Sequence, residues 1–580
     1  MVKTKGYAGN ILEVNLSLRE LSSADLDSDT TSNFLGGRGY GIKLLKKNNP
    51  KGVDPLLPEN NLIFMTGPYT GTGPFSAFYS ITTKSPLTGL CLSSHSGGNW
   101  GPSLKRAGYD GIVIEGKADD PVMLVISDGK PKLENIRGLW GRNTAETTEK
   151  IEKEYGASPA VIGPAGENKV RYACIVNNYH RVAGRGGAGA VMGSKNLKAI
   201  AVKGDKDIEI GQPEEMKKKF IKAAKTVQEE AQAFGKLGTP IVVNMENEIG
   251  GLPTKNFQIG YFEDAEKVSG EYLHEKYWVE DFGCFRCPLS CGNVTEVKQG
   301  KYKCKTEGPE YETIMAFGPN CYNSNLESII KANDLCDRLG LDTITMGDSI
   351  AFCMELYERD LIDENDIGFS LDWGDHKKII ELVKMTANRE GFGDELAEGT
   401  WRIAQKRGGE PVQVGKMEPP GYEPRAIQGM ALAYATSPRG ACHLRATMYV
   451  PETFSKELDR TTVKGKTDYL IDMQNKFAIL DSMLLCKLGG RNANMTRWED
   501  LSELLEITTG KEFSVKKLKM IGKKIFNLEH KYNVREGKKN LSIPTQFFEP
   551  QEYGPSEGLK VKKEDFEKAI DEYQNARGWK

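Results

Sequence analysis

Cys284-Phe-Arg-Cys287-Pro-Leu-Ser-Cys291 is the stretch from which the rest of this chain is best read. Its spacing is C-x2-C-x3-C, and a fourth thiol, Cys486, follows about two hundred residues later in Asp481-Ser-Met-Leu-Leu-Cys486. A tight cysteine group completed by one distant thiolate suits a cubane iron–sulfur cluster, which takes four thiolates at tetrahedral corners. Four thiolates also suit a structural zinc ion, so zinc stays open from these residues alone. Zinc sites more often use two C-x2-C pairs, and no second pair exists here. A radical-SAM triad has the reverse order, C-x3-C-x2-C. A cluster would move single electrons, which points to a redox enzyme. It also requires two distant parts of the chain to fold onto one another.

The 580 residues exceed what one hydrophobic core supports and predict roughly three domains. With 39% hydrophobic and 27% charged residues and a net charge of -2, nothing points to nucleic acid or to an anionic membrane. No apolar run approaches the ~18–20 residues that a spanning helix needs. The first residues, Met-Val-Lys-Thr-Lys-Gly-Tyr, carry no apolar leader. The expected location is therefore cytoplasmic, where thiols stay reduced. Of the 11 cysteines, Cys91, Cys174, Cys304, Cys321, Cys336, Cys353 and Cys442 show no ligand spacing and read as small buried hydrophobes.

Residues 1–206 read as β-rich. Short alternating runs such as Asn-Ile-Leu-Glu-Val-Asn-Leu (10–16) and Gly-Ile-Val-Ile-Glu-Gly (111–116) are punctuated by turn clusters. From 207 the periodicity is helical, with Pro213 at a first-turn position. A helix is predicted from Leu326 to Arg338, stopped by Gly340, and Asp342 caps the next, Thr343 to Glu358. The expected organisation is a β-rich domain over 1–206 and two mainly helical domains over 207–413 and 414–580, an α+β multidomain class.

Several other segments carry chemistry. Asp337-Arg-Leu-Gly-Leu-Asp342 and Asp481-Ser-Met-Leu-Leu-Cys486 share the form Asp-x-x-x-Leu-(Asp or Cys). Asp337 sits at a helix C-terminus, where the macrodipole disfavours a carboxylate. Such carboxylates can bind a heterocycle rich in N–H donors, such as a pterin; alternatively they are a solvated helix end and a plain cap. The Gly-rich, basic stretch Arg181–Gly193 and the run Gly36-Gly-Arg-Gly-Tyr-Gly41 allow phosphate cradling or tight turns equally. Neither is a Walker A loop. Glu312, in Thr306-Glu-Gly-Pro-Glu-Tyr-Glu312, and His443, in Arg439-Gly-Ala-Cys-His443, together offer an acid/base pair.

Taken in order, these segments resemble the aldehyde:ferredoxin oxidoreductase family of tungsten-dependent, sometimes molybdenum-dependent, enzymes. Thr-Lys-Ser-Pro-Leu-Thr-Gly (83–89), Arg-Ala-Gly-Tyr-Asp-Gly (106–111), Ile-Gly-Pro-Ala-Gly-Glu-Asn (162–168), Gly-Ala-Val-Met-Gly-Ser-Lys-Asn-Leu-Lys-Ala-Ile-Ala-Val (189–202), Leu-Gly-Leu-Asp-Thr (339–343) and Arg-Glu-Gly-Phe-Gly-Asp (389–394) look like family signatures. The resemblance covers essentially the whole chain.

The resemblance implies a β-rich base for the cofactor and two helical domains over it. The implied cofactors are a tungsten (or molybdenum) bis-pterin, a [4Fe–4S] cluster and a Mg²⁺ bridging the pterin phosphates. Carried over residue by residue, Cys284, Cys287, Cys291 and Cys486 ligate the cluster, and Asp337, Asp342 and Asp481 grip the pterins. His95 and Val182 offer backbone carbonyls to Mg²⁺, Arg181 lies beside the phosphates, and Glu312 and His443 are catalytic. The implied activity is aldehyde oxidation to a carboxylic acid, with electrons leaving to ferredoxin or a ferredoxin-like subunit. A runner-up keeps the cofactor for low-potential reduction of a carboxylic acid or aromatic acyl thioester. A non-enzyme alternative is an iron–sulfur scaffold subunit. Three positions depart from the pattern. Phe78 stands where some members place a basic residue, while Lys331 and a residue near Ile379 stand where some homodimers share a metal. A lysine ammonium cannot ligate a metal, so a hetero-oligomer with a small ferredoxin-like subunit is expected instead.

Overall fold

The computed structural model describes residues 5–538 and 540–580. The first four residues, part of the stretch read above as carrying no leader, lie outside them. Two six-stranded sheets build the first third of the chain. The first holds β1 (Asn10–Asn15), β2 (Glu20–Asp25), β3 (Leu62–Met65), β4 (Tyr79–Lys84), β5 (Cys91–Ser96) and β6 (Gly111–Glu115), in the order β2-β1-β6-β3-β4-β5. The second holds β7 (Val122–Ser127), β8 (Lys130–Asn135), β9 (Ser158–Val161), β10 (Ile175–Asn177), β11 (Arg181–Ala183) and β12 (Leu197–Lys203), in the order β11-β10-β9-β12-β7-β8. Only the β1–β6 and β7–β12 pairs run parallel.

The alternation that predicts β1 and β6 has its counterpart between the sheets. Leu12, Phe64, Ile112 and Ile114 of the first sheet share a core with Leu124, Ile126, Ile200 and Val202 of the second. Trp100 ties them further. Its ring lies 4.4 Å from Tyr79 and 5.4 Å from Phe64, and its indole N–H donates to the carbonyl of Ile200 at 2.9 Å. Such aromatic contacts add about 0.5–1.5 kcal/mol beyond the area they bury.

Helix Gly37–Asn48 lies across β3 and β4 and packs on its other side against helix Thr467–Met483. Here the Gly36–Gly41 run finds its purpose: it is neither a phosphate loop nor a tight turn, but the start of a helix in very close contact. A Cβ on Gly41 would come within 2.2 Å of Thr82 Oγ1, and one on Gly37 within 2.3 Å of the Asp481 carbonyl. Between these glycines Arg38 is wholly buried.

Beyond residue 206 helices predominate, as expected, with one exception. A three-stranded antiparallel sheet, β13 (Trp278–Phe282), β14 (Gly292–Val297) and β15 (Cys304–Glu307), brackets the cysteine triad between its first two strands. The predicted helix after Asn325 spans Leu326–Leu339 and ends on Gly340 in the left-handed conformation (φ 80°), which donates back to Cys336. Asp342 then caps Thr343–Glu358 through the amide of Ile344. The C-terminal part is carried by Thr467–Met483, Val515–Arg535 and Lys563–Arg577. Among the described residues no helix is long and apolar enough to cross a membrane.

Candidate active site and cofactor cradle

The loop of the cysteine triad and the backbone of Cys486 are tied together by a single residue. Phe75 donates its amide to the carbonyl of Arg286 at 3.0 Å, inside the triad loop, and accepts from the amide of Cys486 at 3.1 Å. Cys486 caps helix Lys487–Asn492, its sulfur accepting from Gly489 N–H at 3.4 Å. Gly489 must lack a side chain, because a Cβ would stand 2.2 Å from the Phe75 ring. The triad loop turns through left-handed Arg286 (φ 50°) and Ser290 (φ 45°). Burial pushes the Cys486 thiol up to about 12, with Cys287 and Cys284 adding to the shift, and burial likewise raises Cys291. Arg181 offsets this: its guanidinium feels Cys284 and Cys291 and also pairs with Glu307. The expected phosphate neighbour is thus near enough to the thiols for its charge to act on them.

Among the described residues no three His, Cys, Asp or Glu side chains converge closely enough for a single ion. A zinc site would hold all four sulfurs about 2.3 Å from one centre. A cubane would spread its thiolates over a wider tetrahedron.

Asp481 lies near the end of helix Thr467–Met483 and is buried among cations. Arg38 reaches it at 3.2 Å, Arg445 at 2.5 Å and His95 at 3.9 Å, and Lys487 also pairs with it. Burial opposes its charge, but Lys487, His95, Arg445 and Arg38 together hold its carboxyl far below the usual range. Burial, with Arg445, Lys487 and Arg439 around it, keeps His95 neutral despite Asp481. Asp337 is buried at its helix end and contacts His180 Nδ1 at 3.1 Å. Burial raises Asp337, while His180, though desolvated, is carried above its ordinary value by this partner. Asp342 accepts from Thr345 Oγ1 at 2.8 Å and lies 3.4 Å from Arg185 Nε. Strands β5 and β11, bearing His95 and Val182, pack against each other although they belong to different sheets.

Arg38, Arg185, Arg439, Arg445 and Lys487 are not singled out as site residues by the sequence reading, although Arg38 and Arg185 lie in its two Gly-rich stretches and Arg439 opens the His443 segment. Two signals could have found them: Lys487 follows Cys486 directly, and Arg439 and Arg445 flank His443 six residues apart. Arg439 and Arg445 converge on the Ser93 carbonyl of β5. Arg181 Nε, Arg185 Nη1 and Arg445 Nε are buried without a hydrogen-bond partner among the described residues. Orphaned buried donors are costly, and a heterocycle or phosphate rich in acceptors would satisfy them. Cys442 also departs from expectation. It is buried, but its sulfur accepts from Arg439 Nη2 at 2.9 Å, Arg439 Nε at 3.2 Å and Leu444 N–H at 3.3 Å. Burial raises its pKa, yet Arg439 and Arg445 more than offset that, so it is a poised thiol and not a plain hydrophobe.

Glu312 and His443 are brought together. Glu312 stands in the first turn of helix Tyr311–Phe317; its Oε2 accepts from Gly421 N–H at 2.7 Å and its Oε1 lies 3.5 Å from His443 Nδ1. No hydrogen bond among the described residues satisfies that Oε1. Burial pushes Glu312 up to about 8, the Gly421 amide and Arg185 opposing. Burial, then Arg185, Arg439 and Lys487, hold His443 well below its ordinary value. At neutral pH both are uncharged, the state that costs least in a buried site. Tyr422 lies 5.7 Å from the imidazole and stacks at 3.9 Å on Tyr449. A further buried carboxyl, Glu246, is pushed up to about 8 by burial, with Glu452 and Glu312 adding to it. Lys331, by contrast, is held by Asp334 at 2.7 Å, and Ile379 is buried.

Comparison with known proteins matches this architecture along its length. The family model for the N-terminal domain of aldehyde ferredoxin oxidoreductase matches residues 11–204, and that for its domains 2 and 3 matches 215–580. The tungsten-containing aldehyde ferredoxin oxidoreductase of Pyrococcus furiosus is 40% identical over 99% of this chain and 96% of its own. The WOR-like subunit of the aliphatic sulfonate oxidoreductase of the same organism is 31% identical over 99% of this chain and 94% of its own. The active-site complex of benzoyl-coenzyme A reductase with 1,5-dienoyl-CoA superposes with a TM-score of 0.83 at 23% identity, covering 100% of this chain and 95% of that one, a likeness of fold.

Proposed function

The chain belongs to the aldehyde ferredoxin oxidoreductase family, and on that premise we propose that it oxidises aldehydes to carboxylic acids: RCHO + H2O gives RCOOH + 2H⁺ + 2e⁻. The observation that carries this reading is the buried Glu312–His443 contact at 3.5 Å, with Glu312 pinned by the Gly421 amide. When bound, a tungsten (or molybdenum) bis-pterin supplies Lewis acidity and takes two electrons, and a [4Fe–4S] cluster releases them singly.

Cys284, Cys287, Cys291 and Cys486 would hold the cluster. Asp337, Asp342 and Asp481 would grip the pterins, the carbonyls of His95 and Val182 would meet Mg²⁺, and the orphaned guanidinium nitrogens would meet cofactor acceptors. In its neutral form Glu312 donates toward His443 Nδ1, which leaves Nε2–H free to donate to the aldehyde oxygen. Once ionised, Glu312 takes a proton from the attacking water. Tyr422 backs the imidazole and helps exclude bulk water.

Electrons would leave to ferredoxin or to a small ferredoxin-like subunit; a hetero-oligomer is favoured over a metal-sharing homodimer because neither Lys331, already paired with Asp334, nor an apolar residue near Ile379 can supply the interface metal ligand that some family homodimers use. All eleven cysteines are unbridged, which fits a cytoplasmic location. Metal analysis of native protein, with an aldehyde panel and viologen as acceptor, tests the reading. It should show tungsten or molybdenum, about four irons per chain and aldehyde-dependent reduction. Protein with neither metal nor aldehyde-dependent turnover would overturn it. A plain homodimer with an interface metal on size exclusion would overturn the hetero-oligomer.

A further inference from the structure

A cavity of about 540 Å³ opens where the three parts of the chain meet, away from the cofactor cradle. None of the residues assigned above to cofactor or catalysis lines it. Five basic side chains do: Lys84, Arg171, Arg402, Lys416 and Lys538. Among the described residues only two acidic ones, Asp54 and Glu536, line it as well. A Cβ placed on Gly415, in its lining, would stand 3.4 Å from the Cα of Gly440, a residue of the loop that carries His443.

The charges are unevenly served. Lys84 pairs with Glu536 at 2.6 Å. Behind the cavity wall, Glu398 is shared by Arg171 at 2.5 Å, Arg389 at 2.8 Å and Arg402 at 3.9 Å. Arg171 and Arg402 both donate to the Pro86 carbonyl at 3.2 Å, which holds two like charges side by side. Lys416 sits over the Trp401 ring at 4.0 Å, and Lys538 donates to the Ser437 carbonyl at 3.0 Å. Among the described residues neither lysine has a carboxylate within ion-pair distance, and Arg171 Nη2 and Lys416 Nζ have no protein acceptor. The repulsion is felt: burial and Arg171 bring Arg402 down to about 10, and burial, Arg402 and Arg171 lower Lys416. Glu398 and Glu536 are each shared by more than one cation, so positive charge is in excess among the described residues. Guanidinium forks with a neighbouring ammonium suit phosphate oxygens. The volume is that of a small-molecule site.

We propose that this cavity binds a phosphorylated small molecule. The anion seats on Arg171 Nη2 and Lys416 Nζ, with Arg402 behind it. The probes are inorganic phosphate and pyrophosphate, titrated into the holoenzyme at constant ionic strength and followed by calorimetry and thermal unfolding. Saturable binding below about 1 mM is expected. Pyrophosphate binding more tightly marks a diphosphate ester, and phosphate binding as tightly marks a monoester. Lys416→Gln, which removes no hydrogen bond within the protein, should weaken binding about tenfold or more. Lys416→Glu should supply the missing negative charge itself, raising the unfolding midpoint without anion and abolishing the response to it. Absence of saturable binding, equal displacement by chloride, or unchanged binding in Lys416→Gln would overturn the proposal.

Discussion

Glu312 makes the sharpest prediction, because its surroundings fix both the direction and the size of a pH effect. Burial pushes its carboxyl up to about 8. If the ionised form takes the proton from water, activity must follow the fraction ionised. That fraction is about one in eleven at pH 7 and about ten in eleven at pH 9, so kcat/KM should rise about tenfold across the interval. His443, held neutral by burial and neighbouring cations, contributes no opposing limb there. Glu312→Gln keeps the Gly421 hydrogen bond and the shape of the side chain but cannot ionise. General base catalysis is worth ~10²–10⁴, so turnover should fall by that factor, about 3–5 kcal/mol of barrier. The assay is aldehyde-dependent viologen reduction from pH 6 to 9, with tungsten, molybdenum and iron counted in each preparation. The variant should retain full metal and show a flat profile. A Glu312→Gln enzyme within threefold of the parent, or one with the same tenfold rise, would refute the role of Glu312 as base.

Three further outcomes follow from the same geometry. Glu246 is buried at a pKa of about 8 against about 4.5 in an unfolded chain, so its contribution to stability is fully present below 4.5 and is lost as pH rises toward 8. Glu246→Gln should therefore raise the unfolding midpoint at pH 8 and flatten its pH dependence, a gain of up to about 4 kcal/mol that denaturant titration would read; an unchanged profile would show that Glu246 ionises freely. The charge of Arg181 acts on the Cys284 and Cys291 thiols, and removing it with Arg181→Met should shift the potential of a cluster held there to more negative values in an EPR redox titration; a potential that stays put or rises contradicts the placement. Gly489→Ala drives a methyl to 2.2 Å from the Phe75 ring, overpacking worth about 1–3 kcal/mol, and should lower iron per chain, whereas Gly465→Ala, in open space, should leave iron content unchanged.

Much was legible without coordinates wherever the physics is local. The Gly340 stop and the Asp342 cap depend only on a glycine's tolerance of the left-handed region and on a carboxylate two residues before a free amide. Alternation in β1 and β6 marks a pleated strand against a core because side-chain direction has period two. The Gly36–Gly41 run was misread because a glycine needed for close packing is indistinguishable, in one dimension, from a glycine needed for a turn. Cys442 was misread for a related reason: its three N–H donors come mostly from Arg439, and nothing in the spacing says that a guanidinium folds back over a sulfur.

The sequence by itself determined the class of the protein, its order of β-rich and helical parts, and the residue types that could serve a redox centre. Those are properties of composition, periodicity and motif, which the chain carries along its length. Only the tertiary structure decided which of those residues meet. It set Phe75 between the triad loop and Cys486, closed three cations and the neutral His95 imidazole around Asp481, and brought Glu312 within 3.5 Å of His443. It also decided their protonation. A carboxyl reaches about 8, or stays ionised at any ordinary pH, according to whether burial is left unopposed or answered by the Lys487 ammonium and the guanidinium groups of Arg445 and the distant Arg38.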